Sequence, residues 1–266
     1  MSGFIADLLQ VALYLTLATA LAAPLAGRRW KVALSLSYLG SLSFLAASVA
    51  SLYASAQGPL SLYGGLVVQD PFSSLIMLGA AASSILMLIA VGSDAASWST
   101  SPAAFSLVPL VLFGLFFLAG ATDALVVLAT WLMVSVASYV FIALPDDGRS
   151  KAASVRYVMM GVVATLFLVA WAALASALQG AASFAIAPIS LPASLTPGSM
   201  TYLGARGPAL AAALAALAAV GVPLGLFPLP WSLATAHGRP DRPVGSCAAA
   251  AVSGGAAGAR VTIVRG

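Results

Sequence analysis

Catalysis and transport need groups that exchange a proton, hold an ion or attack a bond, and this chain has few. It carries eleven Lys and Arg against seven acids, with one His and one Cys. All seven acids are aspartates, at positions 7, 70, 94, 123, 146, 147 and 241. Arg156 is the clearest charge inside an apolar run, five residues after Lys151 and so roughly 7.5 Å deeper at helical rise. A charge within a span is by default a functional candidate. At that depth, however, an arginine can reach back to the interface, and its pKa above roughly 12 makes it a poor proton exchanger. Position alone favours the snorkelling role, with a place on a proton path as the second reading. His237 lies in a polar stretch, where a single imidazole is either solvated or a relay near neutral pH.

Other chemistry finds no foothold. Cys247 reads as a small packing residue in an Ala-rich run, and one cysteine excludes an internal disulfide or a cysteine metal cluster. No phosphate-cradling glycine loop, nucleophile elbow or zinc spacing is present. The expectation is therefore no catalytic residue, no metal ligand, no cofactor and no nucleic-acid partner.

The elements that must position these groups are membrane helices. The chain is 62% hydrophobic and 7% charged, with mean hydropathy +1.06, whereas soluble domains carry about 25% charged residues. A helix needs about 20 apolar residues to cross the hydrocarbon core. Runs at about 4–26, 32–56, 71–93, 103–120, 121–144, 152–178, 208–228 and 243–264 qualify, the fourth short and the eighth weak. The first run has no basic segment before it and is as long as a full span, so it reads as a retained helix rather than a signal peptide.

The expectation is an all-α polytopic membrane protein with seven to eight transmembrane helices. Arg28, Arg29 and Lys31 follow span one, Arg149 and Lys151 follow span five, and Arg239 and Arg242 follow span seven. Basic loops collect on the cytoplasmic side, which places the N-terminus outside and the chain, multi-pass, in a prokaryotic plasma membrane. Asp123, beside Thr122, begins span five and suits a helix-capping role at the positive end of the dipole; Asp146 and Asp147 stand before span six behind Pro145. Span seven meets Pro223 early, then Pro228 and Pro230. Each internal proline removes a backbone hydrogen bond, and broken helices in membranes line cavities or lie buried in protein. Ala, Gly and Ser fill the spans, as in Ala209 to Ala219; small residues let helices approach closely in lipid, and a GC-rich gene would produce the same bias.

Several segments, in order, resemble one family. Gln69-Asp70-Pro71-Phe72-Ser73 looks like its Asp-Pro-Leu-Ser opening of the third helix. Trp131-Leu132-Met133-Val134-Ser135-Val136-Ala137-Ser138-Tyr139 resembles its fifth-helix signature Trp-Glu-Leu-Met-Ser-Leu-Ala-Ser-Tyr. Ala152 to Tyr157 is similar to a sixth-helix Ala-Ala-Leu-Lys-Tyr pattern, with Arg156 for lysine. Ala219-Val220-Gly221-Val222-Pro223, then Leu229-Pro230-Trp231, resembles a broken seventh helix, and Ala236-His237 with Arg242-Pro243-Val244 the loop leading to the eighth. The family is the antiporter-like membrane subunits of NADH:quinone oxidoreductase (respiratory complex I), of membrane-bound hydrogenases and of multisubunit cation/proton antiporters. The sixth-helix pattern and the brevity of the chain bring it nearest to chain N, or subunit 2, of the first.

The resemblance implies two parts, a two-helix hairpin and loop at 1–67 and an antiporter-like domain at 68–266. It implies partners among the membrane subunits of a redox or antiporter complex, within the bilayer. It also exposes departures. The family's helix-five glutamate falls on Leu132, its helix-seven lysine on Ala218, and its helix-eight lysine near Ser253 or Gly254. A second inverted repeat of five helices has no counterpart after span eight. The implied function is a divergent proton-translocation subunit of a complex I-like NADH:quinone oxidoreductase, with impaired or no pumping of its own; the alternatives are a membrane-bound hydrogenase or cation/proton antiporter subunit, or a non-transporting scaffold or assembly protein that retains the fold.

Overall fold

Leu107 to Gly120, an apolar stretch without a charge, becomes the most enclosed of the described helices. A helix that is hydrophobic all round belongs inside, and Val108, Leu112, Leu115, Phe116, Leu118 and Ala119 are all buried. In the computed structural model the described residues are 2–26, 29–92, 102–143, 148–179, 211–212 and 214–219. They form α1 (Ser2–Ala22), α2 (Trp30–Ser55), α3 (Pro71–Gly92), α4 (Leu107–Gly120), α5 (Ala124–Ala143) and α6 (Gly148–Gln179). Short 3-10 turns at Ala23–Ala26, Tyr63–Gly65 and Pro102–Ser106 flank them. Residues 211–212 and 214–219 are helical as well.

α1 packs on α2, α2 on α3 and α3 on α4, while α4 also meets α1 and α2; α5 then joins α4, and α6 joins α5. The expected spans one to six therefore appear close to their expected bounds. Among the described residues, four helical stretches are long and apolar enough to cross a membrane: Ile5–Ala26, Trp30–Ser55, Pro71–Ala90 and Ser154–Leu174. Ala104–Gly120 and Ala124–Val140 are shorter apolar helices. The eighth run, Pro223 and His237 lie outside the described residues, as do Asp146 and Asp147.

One element departs from an all-helical expectation. β1 (Leu60–Leu62) and β2 (Val67–Gln69) form an antiparallel hairpin, with Leu60 opposite Gln69, Ser61 opposite Val68 and Leu62 opposite Val67. Its turn, Tyr63-Gly64-Gly65, runs through the left-handed region at φ 53, 69 and 93°. Two glycines make that conformation cheap; Tyr63 bears the strain and sets its ring 5.4 Å from that of Phe117. The hairpin straddles residue 67, and Leu62, Val67, Phe44, Phe116, Trp131 and Leu168 all belong to one hydrophobic cluster.

The serines in α2 explain how α1, α2 and α3 approach one another. Ser37, Ser41, Phe44, Ser48, Ser51 and Ser55 are buried at alternating steps of four and three residues, which is one face of a helix. Their hydroxyls are mostly satisfied locally or across the seam. Ser43 meets Thr16 at 2.8 Å, Ser51 meets Ser74 at 2.8 Å, and Ser37 donates to the Phe105 carbonyl at 2.6 Å. A Cβ on Gly40 would overlap the Thr19 hydroxyl and come within 2.8 Å of Pro109. In this seam, small residues serve close packing.

Candidate functional site

Besides the serine seam of α2, two places among the described residues gather polar groups. The first is the junction of the hairpin with α3 and the end of α4. A 14-residue helix spans about 21 Å, short of the roughly 30 Å of hydrocarbon, and its last carbonyls need partners. The hairpin supplies some of them and anchors the chain that follows. Gln69, fully buried, donates from Nε2 to the Phe116 carbonyl at 3.2 Å. Ser73 donates from Oγ to the Ala119 carbonyl at 2.9 Å. Val67 bridges to Ala121, and the Thr122 amide donates to the Leu66 carbonyl at 3.1 Å. Gly120 makes room for this: a Cβ there would lie 2.5 Å from Gln69 Nε2 and 2.7 Å from Val67 Cγ1.

Both aspartates at this end are caps. Asp70 is buried, and its Oδ1 accepts from the Ser73 amide at 2.7 Å, the N-cap contact that satisfies an orphan donor of α3. Its carbonyl accepts from the Ser74 hydroxyl at 2.9 Å, which links it to Ser51 of α2. Asp123 Oδ1 accepts from the Leu125 amide at 2.7 Å, so the capping role expected of it holds. Thr122 has a different task, donating its hydroxyl to the Gly65 carbonyl at 2.5 Å.

The second place is the α5–α6 seam. Buried positions Ala124, Val127, Trp131, Val134 and Ser138 run along one side of α5. Trp131 donates from Nε1 to Thr165 Oγ1 at 3.2 Å. The Tyr139 ring meets Tyr157 edge-on at 5.5 Å, and a Cβ at Gly161 would overlap the Tyr139 hydroxyl. Ser154 donates to the Tyr139 carbonyl at 3.0 Å. Leu132 is on the other side of α5, 47% exposed, in a stripe with Leu125, Val136 and Val140. Arg156 is exposed on α6. Ala212, Ala215, Ala216 and Ala219 are buried in the main hydrophobic cluster, and Ala218 beside them is half-buried.

No protein-family model matches the chain. It is 27% identical over 208 residues to NADH-quinone oxidoreductase subunit N of Anaeromyxobacter sp. (strain Fw109-5), a stretch covering 77% of this chain and 40% of that protein. Among solved structures it superposes on a chain of respiratory complex I from Thermus thermophilus with TM-score 0.71 at 18% identity, covering 97% of this chain and 52% of that one. The fold is that of the antiporter-like membrane subunits. A chain of the membrane-bound sulfane sulfur reductase, an archaeal respiratory membrane complex, matches with the same TM-score at 17% identity, covering 87% and 48%. The chain thus spans about half the length, or less, of these relatives.

Within this antiporter-like fold, the described residues among those singled out from the sequence do not converge. Leu132 points out of the bundle, Arg156 stands on the exposed side of α6, and Ala218 adjoins the core from the segment at 214–219. The helices α3, α4 and α5 contain no Asp, Glu, Lys or Arg. Among the described residues no group of three His, Cys, Asp or Glu is placed to hold a metal. Two features went unread in the sequence. The serine stripe of α2 was visible as a four-three spacing. The hairpin was signalled by Leu60-Ser61-Leu62, a Gly-Gly turn and Val67-Val68-Gln69 between two long apolar runs.

Proposed function

We propose that this chain is an antiporter-like membrane subunit of a multisubunit respiratory complex of the NADH:quinone oxidoreductase type, and that it contributes structure with little or no proton pumping of its own. The observation that carries this reading is Leu132. A proton step in mid-membrane requires a group that titrates, and the position that resembles the family's fifth-helix carboxylate bears an alkyl side chain on an outward face. A carboxylate on a lipid-facing surface is costly, whereas leucine is what hydrocarbon favours. Ala218, at the second such position, supports the same conclusion.

Its partners on this reading are the other membrane subunits of that complex. Two experiments test the proposal. The purified chain, reconstituted into vesicles with an imposed pH gradient, should carry no proton or sodium flux above empty vesicles; robust flux would contradict it. Affinity purification from the native membrane should recover the chain in stoichiometric amount with redox-complex subunits. Absence from the mature complex would favour a free scaffold, and recovery with a hydrogenase or an antiporter would reassign the complex.

A further inference from the structure

α6 is 32 residues long, or about 48 Å, and only the Ser154–Leu174 stretch qualifies as a membrane span. It packs chiefly on α5, which leaves much of its surface outside the bundle. One strip of that surface has an uncommon make-up. Arg156, Met159, Val163 and Phe167 are all exposed, and their spacing of three, four and four residues places them on one helical face. Arg149 stands seven residues before Arg156, two turns back in the same register.

We propose that this strip is a binding site for an anionic phospholipid of the cytoplasmic leaflet. Arg156 holds the headgroup phosphate, and Met159, Val163 and Phe167 seat an acyl chain. Four points favour a lipid over a protein segment. Arg156 is the third residue of the span, shallow enough for its side chain to reach the interface, where phosphates lie. A guanidinium grips a phosphate with paired, charge-assisted hydrogen bonds. The distance from Arg156 to Phe167 is eleven residues, roughly 16 Å of helix, which matches about half of a 30 Å hydrocarbon core. Beyond Arg156 the strip is wholly apolar, as an acyl chain requires, and has no second polar group that a protein partner could read. This assignment needs only the membrane span and the cytoplasmic side expected for Arg149 and Lys151. It stands or falls separately from the reading of the complex and from any proton flux.

The test uses the full chain in a mild detergent, titrated with phosphatidylglycerol or phosphatidylcholine and followed by native mass spectrometry. Wild type should retain phosphatidylglycerol in preference to phosphatidylcholine. Arg156→Gln should weaken phosphatidylglycerol binding about ten-fold, the loss expected for one charge-assisted contact, and erase the preference. Arg156→Lys should keep most of the preference, because a lysine still binds phosphate as a point charge. Phe167→Ala should weaken both lipids without changing their ratio. Lys31→Gln, in the first turn of α2, is the control and should change nothing. Equal binding of the two lipids to wild type would overturn the proposal. So would Arg156→Gln that binds phosphatidylglycerol like wild type. Arg156 is exposed, so the variants should fold; unchanged circular dichroism verifies this before the lipid titration is read.

Discussion

The α1–α4 group and the α5–α6 pair solve helix association in lipid by different means. In α1–α4, backbones approach closely over glycine and serine, hydroxyls bridge the seams, and a hairpin ties off the short central helix. In α5–α6, contact rests on large rings against a glycine and on two hydrogen bonds, from the Trp131 indole and the Ser154 hydroxyl. The outer faces of α5 and α6 then stay open and, beyond Arg156, apolar, with Leu132, Val136, Met159 and Leu166 all exposed. The first group closes on itself around α4. The second is attached along one edge and offers the rest of its surface to whatever surrounds it. Without a hydrophobic drive between helices in lipid, close packing and hydrogen bonds must do the holding, and these are concentrated in the first group.

The largest expected effect breaks the closed group. Gly40→Val would drive a branched side chain into Thr19 and Pro109, where α1, α2 and α4 meet, at a cost of about 3 kcal/mol from overpacking. Loss of the cooperative thermal transition, or early proteolysis in detergent, would report it. A variant as stable as wild type would mean that the α1–α2–α4 contact is looser than the structure shows.

Next is the cap on α3. Asp70→Ala should cost about 1–2 kcal/mol, whereas Asp70→Asn, also a good cap, should cost under about 0.5 kcal/mol. Equal damage from both would show that the negative charge, rather than the hydrogen bond to the Ser73 amide, is what this end requires.

The α5–α6 seam yields the third prediction. Gly161→Ala should cost about 1–2 kcal/mol, because the new methyl displaces the Tyr139 ring from a packed position. Tyr139→Phe in the same background should recover part of that loss, since it removes the overlapping hydroxyl. A double-mutant cycle with no coupling would place the two residues apart. The smallest effect belongs to the outer face. Leu132→Ala, on a half-exposed stripe, should change stability by less than about 0.5 kcal/mol in lipid. A large loss there would mean that another helix covers this face in the assembled protein.

The sequence by itself determined the class, the first six spans to within a few residues, and the family resemblance, because hydrophobic run length and charge placement are local properties that lipid enforces. The capping role of Asp123 was legible for the same reason: a cap depends on its own next few residues. What only the tertiary structure decided was which way each residue faces and what it meets. A mid-span position is the same distance from both membrane surfaces whichever side of the helix it occupies, so the motif around Leu132 carried no sign that its neighbour Trp131 turns inward and Leu132 outward. Nor did the spacing of Gln69, Gly120 and Thr122 show that they would join, fifty residues apart, to finish a helix too short for the membrane. Those contacts follow from how α4 sits among its neighbours, and burial of its last carbonyls is what made the hairpin necessary.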